Sequence, residues 1–303
     1  MSSLIYPSFL KPNDRVIMVS PSSRIDKKII DKAKDRLESW GLKVSCAKHV
    51  DGSCDNYAGT IEERRSDFQS AMDHKKAKAI FCTRGGYGAV HFLSDLDFTK
   101  FKKYPKWLLG FSDITVLHLL FQKEGFATIH SPMARHLALE PEDEASLLYL
   151  RGMLFNKIPT YFCSSHQFNR KGKAVGVLRG GNLSVFSALQ GTPYALPPKG
   201  TILFIEDIGE HLHAIERCFY NLKYAGVLDQ LEGLIVGQFT DYVEDRLLSR
   251  RIYRVIADVL KPYSFPVCYN FPIGHTKANY PVISGAKVNF NVEQGRVTLS
   301  FVS

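Results

Sequence analysis

The chain has 303 residues, a formal net charge of +9 at pH 7, 45% apolar residues and 23% charged residues. These fractions are typical of a soluble globular protein, and the length allows one large domain or two of ordinary size. No apolar run approaches the roughly 20 residues of a membrane-spanning helix, so we expect no membrane partner. Lys and Arg are spread along the chain without an aromatic-and-basic module, so we expect a solvated basic surface and no nucleic-acid partner.

Two features of the sequence bear on the cellular compartment. The first residues, Met-Ser-Ser-Leu-Ile-Tyr-Pro, lack the charged and apolar regions of a secretory signal, so we expect a cytoplasmic protein. The cysteines lack Cys-x-x-Cys spacing, so we expect buried free thiols rather than disulfides or a zinc site. They are Cys46, Cys54, Cys82, Cys163, Cys218 and Cys268.

Strands and helices alternate in the first half of the chain. The predicted strands cover residues 14–20, 42–46, 78–82, 106–110 and 127–130. The predicted helices cover residues 26–40, 60–74, 113–123 and 144–155, with a short helix after residue 88. Thr60-Ile-Glu-Glu63 has the pattern of a capping box at a helix start. This alternation predicts a parallel, doubly wound α/β sheet.

A polar segment at residues 156–172 interrupts the alternation, and we place a domain boundary there. Beyond it, strands are predicted at residues 174–178, 201–205, 231–238, 267–270, 287–292 and 296–301. Helices are predicted after residue 183 and at residues 214–225 and 247–260. We therefore expect an N-terminal α/β domain over residues 1–158 and a C-terminal α/β domain over residues 173–303.

One segment joins a buried strand to a helix through a Gly-x-Ser turn, Gly110-Phe-Ser-Asp113. Such a turn exposes the Ser112 hydroxyl at its tip, with the first helix amides pointing past it, as a catalytic serine requires. The alternative is that Ser112, Asp113 or Thr115 simply caps the helix, which is the commoner role for these residues. Ile114 also stands where the common Gly-x-Ser-x-Gly elbow has glycine.

Three loops follow predicted strands, at the sheet edge where open α/β proteins bind ligands. Thr83-Arg-Gly-Gly-Tyr-Gly88 exposes backbone N–H groups that could hold a phosphate or an oxyanion, or it is a plain turn. Glu206-Asp-Ile-Gly-Glu210 places an acid where it could orient a histidine, or it is a solvated acidic loop. The third loop, residues 271–280, places His275 beside Gly274 in a turn-rich setting.

Other histidines offer alternatives to His275. His130 follows a predicted strand and is a second candidate base. His211 and His213 suggest a metal pair, but no third ligand is nearby in the sequence, so we expect no metal site. Ser, Glu and His in this chain order are the parts of an acyl-transfer site, although spacing alone does not bring them together.

Five motifs, taken in order, resemble those of the LD-carboxypeptidase family of serine peptidases. That family includes the self-immunity peptidases that inactivate microcin C. The motifs are Thr83-Arg-Gly-Gly-Tyr-Gly88, Gly110-Phe-Ser-Asp113, Arg179-Gly-Gly-Asn-Leu183, Leu203-Phe-Ile-Glu-Asp207 and Gly274-His275. The resemblance runs from the first predicted strand to the last.

The resemblance implies a cytoplasmic enzyme of peptidoglycan recycling that needs no cofactor. Such enzymes cut the bond between the L-centre of a diamino acid and the terminal D-alanine of a muropeptide tetrapeptide. Carried over by motif, Ser112 is the nucleophile, Glu206 orients the imidazole, and His275 is the base. The backbone amides of Asp113 and of Gly86, or alternatively Gly85, form the oxyanion hole.

The resemblance also implies an architecture. It predicts a flavodoxin-like N-terminal domain, a smaller C-terminal α/β domain and a homodimer. The site is then expected between the two domains, with Ser112 on one and Glu206 and His275 on the other.

Substrate contacts are less well defined by the sequence. We expect Arg84, Gly85 and Tyr87 of the glycine-rich loop to contact the substrate. The family often has His-Gly-Pro where this chain has His130-Ser-Pro132, which leaves the preference among tetrapeptides open.

Two other functions compete with this hypothesis. One is a same-family amidase that acts on an aminoacyl-nucleotide antibiotic, although no insertion typical of that branch is evident between Glu206 and His275. The other is a two-domain protein that binds an anionic ligand on its glycine loops without catalysis.

Overall fold

The computed structural model describes residues 4–242 and 251–302, and the chain divides into two compact units. The described residues up to Ile158, together with Tyr280–Ile283, form the first unit. The described residues of Pro159–Asn279, and those from Ser284 onward, form the second. Across the described ranges, no helix combines the length and the apolar character needed to cross a membrane.

The strands are numbered along the chain. They are β1 (Arg15–Val19), β2 (Lys43–Cys46), β3 (Ala77–Cys82), β4 (Trp107–Gly110), β5 (Thr128–His130), β6 (Tyr161–Ser164), β7 (Gly172–Asn182), β8 (Thr201–Ile208), β9 (Leu231–Thr240), β10 (Val267–Cys268), β11 (Val282–Ser284), β12 (Lys287–Val292) and β13 (Arg296–Phe301).

The α-helices are numbered in the same way. They are α1 (Lys27–Ser39), α2 (Ile61–Asp73), α3 (Thr115–Lys123), α4 (Ala134–Leu139), α5 (Ala145–Leu154), α6 (Leu183–Ala188), α7 (Leu212–Tyr224) and α8 (Ile252–Val259). Short 3-10 helices cover Ala89–Asp95, Ser112–Ile114 and Leu228–Gln230.

The first unit is built on a six-stranded sheet with the order β11-β5-β4-β3-β1-β2. The neighbouring pairs among β1 to β5 are parallel, and helices connect successive strands. Strands buried on both faces require near-continuous apolar runs, and β4 is buried along its whole length. The sheet order confirms the predicted flavodoxin-like fold.

The second unit has a seven-stranded sheet with the order β10-β9-β8-β7-β12-β13-β6. The pairs from β10 to β7 are parallel, and those from β7 to β6 are antiparallel. Strand β8 is buried from Thr201 to Asp207, whereas buried and less buried positions alternate along β12. This contrast is the expected one for a parallel interior strand beside antiparallel strands with one covered face.

The structure differs from the predicted elements at several places. Strand β6 lies within the segment at residues 156–172 that was expected to be a polar connection, and helix α4 and strand β11 were not predicted. The beginning of the helix predicted at residues 247–260 falls outside the described residues, and α8 covers Ile252–Val259.

Strand β7 is longer than predicted, because Arg179-Gly-Gly-Asn182 belongs to the strand rather than to a loop. Gly180 has φ +145°, and a Cβ atom there would lie 2.7 Å from the carbonyl carbon of Phe204 on β8. Glycine at position 180 therefore marks a close approach of two backbones.

The cysteines are all free. Cys82 and Cys268 are buried as expected, but the expectation is wrong for Cys46 and Cys54, which are exposed.

Helix α2 begins with the predicted capping box. Thr60 Oγ1 accepts a hydrogen bond from the Glu63 amide at 3.2 Å, and Glu63 Oε2 accepts one from the Thr60 amide at 2.9 Å. We expect Thr60→Ala to lower the free energy of unfolding by about 1 kcal/mol, because the helix start loses an acceptor for its free amides. Urea unfolding followed by circular dichroism measures the change. Ser70→Ala, at an exposed position inside the same helix, is the control, and an equal loss in both variants would contradict the prediction.

Candidate active site

Strand β4 passes into helix α3 through a strained turn at Ser112. Phe111 is extended, with φ −152° and ψ −171°, whereas Ser112 has φ +66°. A positive φ at a residue with a side chain costs about 1–2 kcal/mol, and it is typical of serines presented at a strand-to-helix elbow. The N-cap positions of the 3-10 turn and of α3 are Phe111 and Ile114, and neither supplies a side-chain cap. The interpretation of Ser112 as a helix N-cap is therefore wrong.

The glycine-rich loop lies directly against this elbow. A Cβ atom on Gly85 would lie 2.8 Å from Ser112 Cβ, 3.0 Å from Ser112 Oγ and 3.1 Å from the amide nitrogen of Asp113. Gly86 has φ +98°, and a side chain there would collide with Ser23. Glycine at position 85 therefore keeps backbone, rather than side chain, beside Ser112, and glycine at position 86 leaves room for Ser23.

The carboxylate of Asp113 connects the elbow to two neighbouring loops. Asp113 is buried, and its Oδ2 accepts hydrogen bonds from Ser22 Oγ at 2.7 Å and from the Ala89 amide at 2.9 Å. Burial raises the pKa of Asp113, while these two hydrogen bonds and the nearby Arg64 act in the opposite direction. The carboxylate fixes the loops after β1 and β3 relative to Ser112.

A buried arginine on α2 donates hydrogen bonds to the backbone of the same loops. Arg64 is 2% exposed, and its Nη1 donates at 2.8 Å to the carbonyls of both Pro21 and Gly88. Its Nε donates to the Gly59 carbonyl at 3.2 Å. Sequence reasoning missed Arg64, because a basic residue on a helix ordinarily indicates a solvated face.

His118, also missed, lies inside α3 and holds the residue that precedes the elbow. Its Nε2 donates to the Gly110 carbonyl at 2.8 Å, and the Ser131 amide donates to the same carbonyl at 3.0 Å. Complete burial lowers the pKa of His118 to about 4, so the ring is neutral at pH 7. A histidine between apolar residues of a helix gave no signal of this contact in the sequence.

The second unit brings together Glu206 and His275. Glu206 lies near the C-terminal end of β8 and is fully buried. Its Oε2 accepts a hydrogen bond from His275 Nδ1 at 2.6 Å. Gly274 makes the contact possible, since a Cβ atom there would lie 2.9 Å from Glu206 Cβ. Because Nδ1 faces the carboxylate, Nε2 is the nitrogen left to exchange a proton elsewhere.

The electrostatics of this pair raise the pKa of His275. Burial lowers it, but the charge of Glu206, the hydrogen bond to Glu206 and the charges of Asp207 and Asp241 together outweigh burial. Asp207 has a different role, since it accepts hydrogen bonds from Asn182 Nδ2 at 2.8 Å and from the Ser184 amide at 2.9 Å at the start of α6. The acids of this loop are therefore not a solvated cluster, because Glu206 and Asp207 are both buried.

The remaining predicted residues take different positions. His130 is fully buried in the first unit, with its ring centroid 5.7 Å from that of Phe111. Arg84 and Tyr87 are exposed on the glycine-rich loop. His211 and His213 stack at 5.3 Å, and within residues 4–242 and 251–302 no cluster of three His, Cys, Asp or Glu side chains has the arrangement of a metal site.

The two units define a class of two-domain α/β protein, with a strained serine elbow in one unit and an acid–histidine pair in the other. The model of the LD-carboxypeptidase N-terminal domain matches residues 16–131, and that of the LD-carboxypeptidase C-terminal domain matches residues 175–290. The chain belongs to the LD-carboxypeptidase family.

Similar proteins and structures agree with this assignment. The chain is 33% identical to a probable murein peptide carboxypeptidase of Bacillus subtilis, over 95% of this chain and 92% of that protein. It is 31% identical to the murein tetrapeptide carboxypeptidase of Pseudomonas aeruginosa, over 88% of this chain and 89% of that protein.

Among solved structures, the muramoyltetrapeptide carboxypeptidase from Oxalobacter formigenes has a TM-score of 0.86 and 26% identity, covering 95% of this chain and 99% of that one. The microcin C7 self-immunity protein MccF has a TM-score of 0.88 and 23% identity, covering 99% and 100% of the two chains, a likeness of fold alone.

The environment of His275 predicts how it titrates. We expect its pKa to lie above 6.5 and to fall in Glu206→Gln, because burial then acts on the imidazole without the carboxylate that offsets it. A pH titration of the histidine ring signals by NMR measures both values. Glu232→Gln, at an exposed position on β9, is the matched control and should leave His275 unchanged. An unchanged pKa in Glu206→Gln would show that the pair does not set the protonation of His275.

Proposed function

We propose that this protein is a serine LD-carboxypeptidase that releases the terminal D-alanine of muropeptide tetrapeptides during peptidoglycan recycling. The hydrogen bond between Glu206 and His275 is the observation that carries the proposal, because a buried acid that fixes an imidazole is the activating half of a serine triad. The names of the relatives from B. subtilis and P. aeruginosa support murein peptides as the substrate class. A cytoplasmic location and a homodimer, which the family resemblance implies, belong to the same proposal.

In the proposed reaction, Ser112 Oγ attacks the carbonyl carbon that precedes the terminal residue. His275 Nε2 takes the serine proton, while its Nδ1–H stays bonded to Glu206. The negative charge that develops on the carbonyl oxygen is stabilised by the backbone amides of Asp113 and Gly86, with Gly85 as the alternative donor. The reaction requires Ser112 and His275 to come within hydrogen-bond reach when substrate is bound.

Collapse of the tetrahedral intermediate breaks the peptide bond. The imidazolium of His275 gives its proton to the leaving amine, so that D-alanine departs and the shortened peptide stays as an ester on Ser112. Water then attacks the ester carbonyl, with His275 accepting its proton. The bond between the acyl carbon and Ser112 Oγ breaks, His275 returns the proton to Ser112, and the shortened peptide leaves with a free carboxyl group.

The conformation of Ser112 suits this role. With φ +66° the serine lies at the tip of the turn, and Asp113 follows it in the 3-10 turn that precedes α3. Amides at a helix start favour negative charge. The strain at Ser112 is thus the cost of presenting its hydroxyl beside the Asp113 amide.

We expect Ser112→Ala to lower D-alanine release from a purified tetrapeptide by several orders of magnitude, because the nucleophile is lost. Mass spectrometry of the peptide measures the product, and Ser70→Ala on helix α2 is the control. Normal turnover by Ser112→Ala would contradict the proposal.

An aminoacyl-nucleotide conjugate assayed beside the tetrapeptide separates the amidase alternative, which predicts cleavage of the conjugate alone. Binding of the tetrapeptide without cleavage of either substrate would favour the non-catalytic binding protein.

Gly85 provides a test of the loop beside the serine. We expect Gly85→Ala to lower kcat/KM by about 100-fold, since its methyl group would displace the Ser112 side chain or the Asp113 amide. The matched control is Gly152→Ala in helix α5, where the new methyl group would meet only the Lys157 carbonyl and side chain, at 3.3 Å and beyond. Equal rates for Gly85→Ala and the wild-type protein, at equal thermal stability, would exclude a role for this loop.

A further inference from the structure

A cavity of about 500 Å³ opens in the first unit beside the glycine-rich loop. Its walls include Arg24 and Arg84, the rings of Tyr57 and Tyr87, and the backbone of Gly86. Gly86 also carries one of the amides that we assign to the oxyanion hole. The cavity therefore lies beside the loop to which the oxyanion hole is assigned.

The residues that line this cavity carry a net positive charge. Arg24 and Arg84 are the charged side chains among its lining residues, and both are exposed. Within the described part of the chain, neither guanidinium forms an ion pair with a carboxylate. An adjoining cavity shares both arginines but also contains Asp26 and Asp51, whose charges disfavour an anion there.

Backbone contacts fix the two arginines relative to each other. Arg84 Nη1 donates to the carbonyl of Arg24 at 2.6 Å, and the Arg24 amide donates to the carbonyl of Asn56 at 3.0 Å. Arg24 Nη1 also donates to Ser53 Oγ at 3.3 Å. Each guanidinium has five N–H donors, so each keeps donors for a ligand after these contacts are made.

A peptide cut at its last bond brings one charged group to this place. Only the amide nitrogen and one Cα atom separate the scissile carbonyl carbon from the terminal carboxylate. A carbonyl oxygen held by Gly86 therefore brings that carboxylate to the wall that Gly86 shares with the arginines. Guanidinium groups match carboxylates in charge and in planar geometry.

We propose that the cavity between Arg24 and Arg84 binds the free carboxylate of the leaving residue and so makes the enzyme an exopeptidase. This inference rests on the proposed function and names the residues that recognise the terminal carboxylate of the peptide substrate. Its consequence is discrimination between a peptide acid and the corresponding peptide amide, which presents no negative charge.

The test compares two tetrapeptides that differ only at the terminal group, one a free acid and the other a primary amide. We expect the wild-type protein to prefer the acid by about 10- to 100-fold in kcat/KM, since a hydrogen-bonded charge contributes that order of selectivity. In Arg24→Gln and Arg84→Gln, kcat/KM should fall further for the acid than for the amide, so the ratio between the two substrates should shrink. In the double variant the ratio should approach one.

Control variants separate this effect from damage to the fold. Arg84→Lys keeps the charge and should recover part of the acid preference, whereas Arg65→Gln removes an arginine that lines neither cavity and should leave it unchanged. Equal losses on both substrates, or an unchanged ratio in the double variant, would overturn the carboxylate pocket and leave the proposed function standing. A wild-type protein that cleaves neither substrate would instead contradict the proposed function together with this inference.

Discussion

The arrangement of the first unit depends on a carboxylate buried where its charge is costly. Asp113 follows a serine in a strained conformation, and such strain persists only when the surroundings determine the backbone more than once. Ser22 and the Ala89 amide donate to Asp113, and Arg64 holds the backbones of the same loops through the Pro21 and Gly88 carbonyls. Acid and arginine thus hold the same set of loops. A buried charge stabilises such an assembly only while its hydrogen bonds are complete.

The second unit holds a fully buried acid in contact with a histidine. Strand β8 carries an apolar run into the interior and ends that run with Glu206. The carboxylate meets His275 within 2.6 Å, and the backbone of Gly274 closes over it. Burial lowers the pKa of the histidine, and the charge and hydrogen bond of the acid are the largest effects that raise it. The protonation of His275 therefore depends on Glu206.

Much of this organisation could be predicted from local sequence patterns. The alternation of strands and helices, the capping box at Thr60 and the glycine-rich loop are set by neighbouring residues, and each appears in the structure. The approach of His275 to Glu206 was expected from the family motifs alone. The two residues are 69 positions apart, and a sequence separation of that size does not predict their distance in the fold. Whether Ser112 acts with them is still a prediction.

Other features escaped prediction for physical reasons. Arg64 and Arg65 are adjacent and chemically identical. The side chain of Arg64 is buried beneath three loops, whereas that of Arg65 is partly exposed. The buried face of α2 also contains Asp67, so the spacing of apolar residues along the helix does not mark the face that packs inward. At Gly180 the absence of a side chain lets β7 approach β8, so the strand continues past residue 178, where it was predicted to end. Tertiary contacts decide all three cases.

The path of the chain has a consequence for the order in which the protein can be completed. Strand β11 borders β5 at the edge of the first sheet, and it comes from residues that follow nearly the whole second unit in the sequence. During synthesis from the N-terminus, β5 must remain an open sheet edge until about 280 residues have been made. In the sequence, most of the second unit thus lies between the penultimate and last strands of the first sheet, and its remaining part follows the last strand. A polypeptide cut between the units would leave the strand that ends at His130 without its neighbour, an unpaired edge to which foreign strands can add.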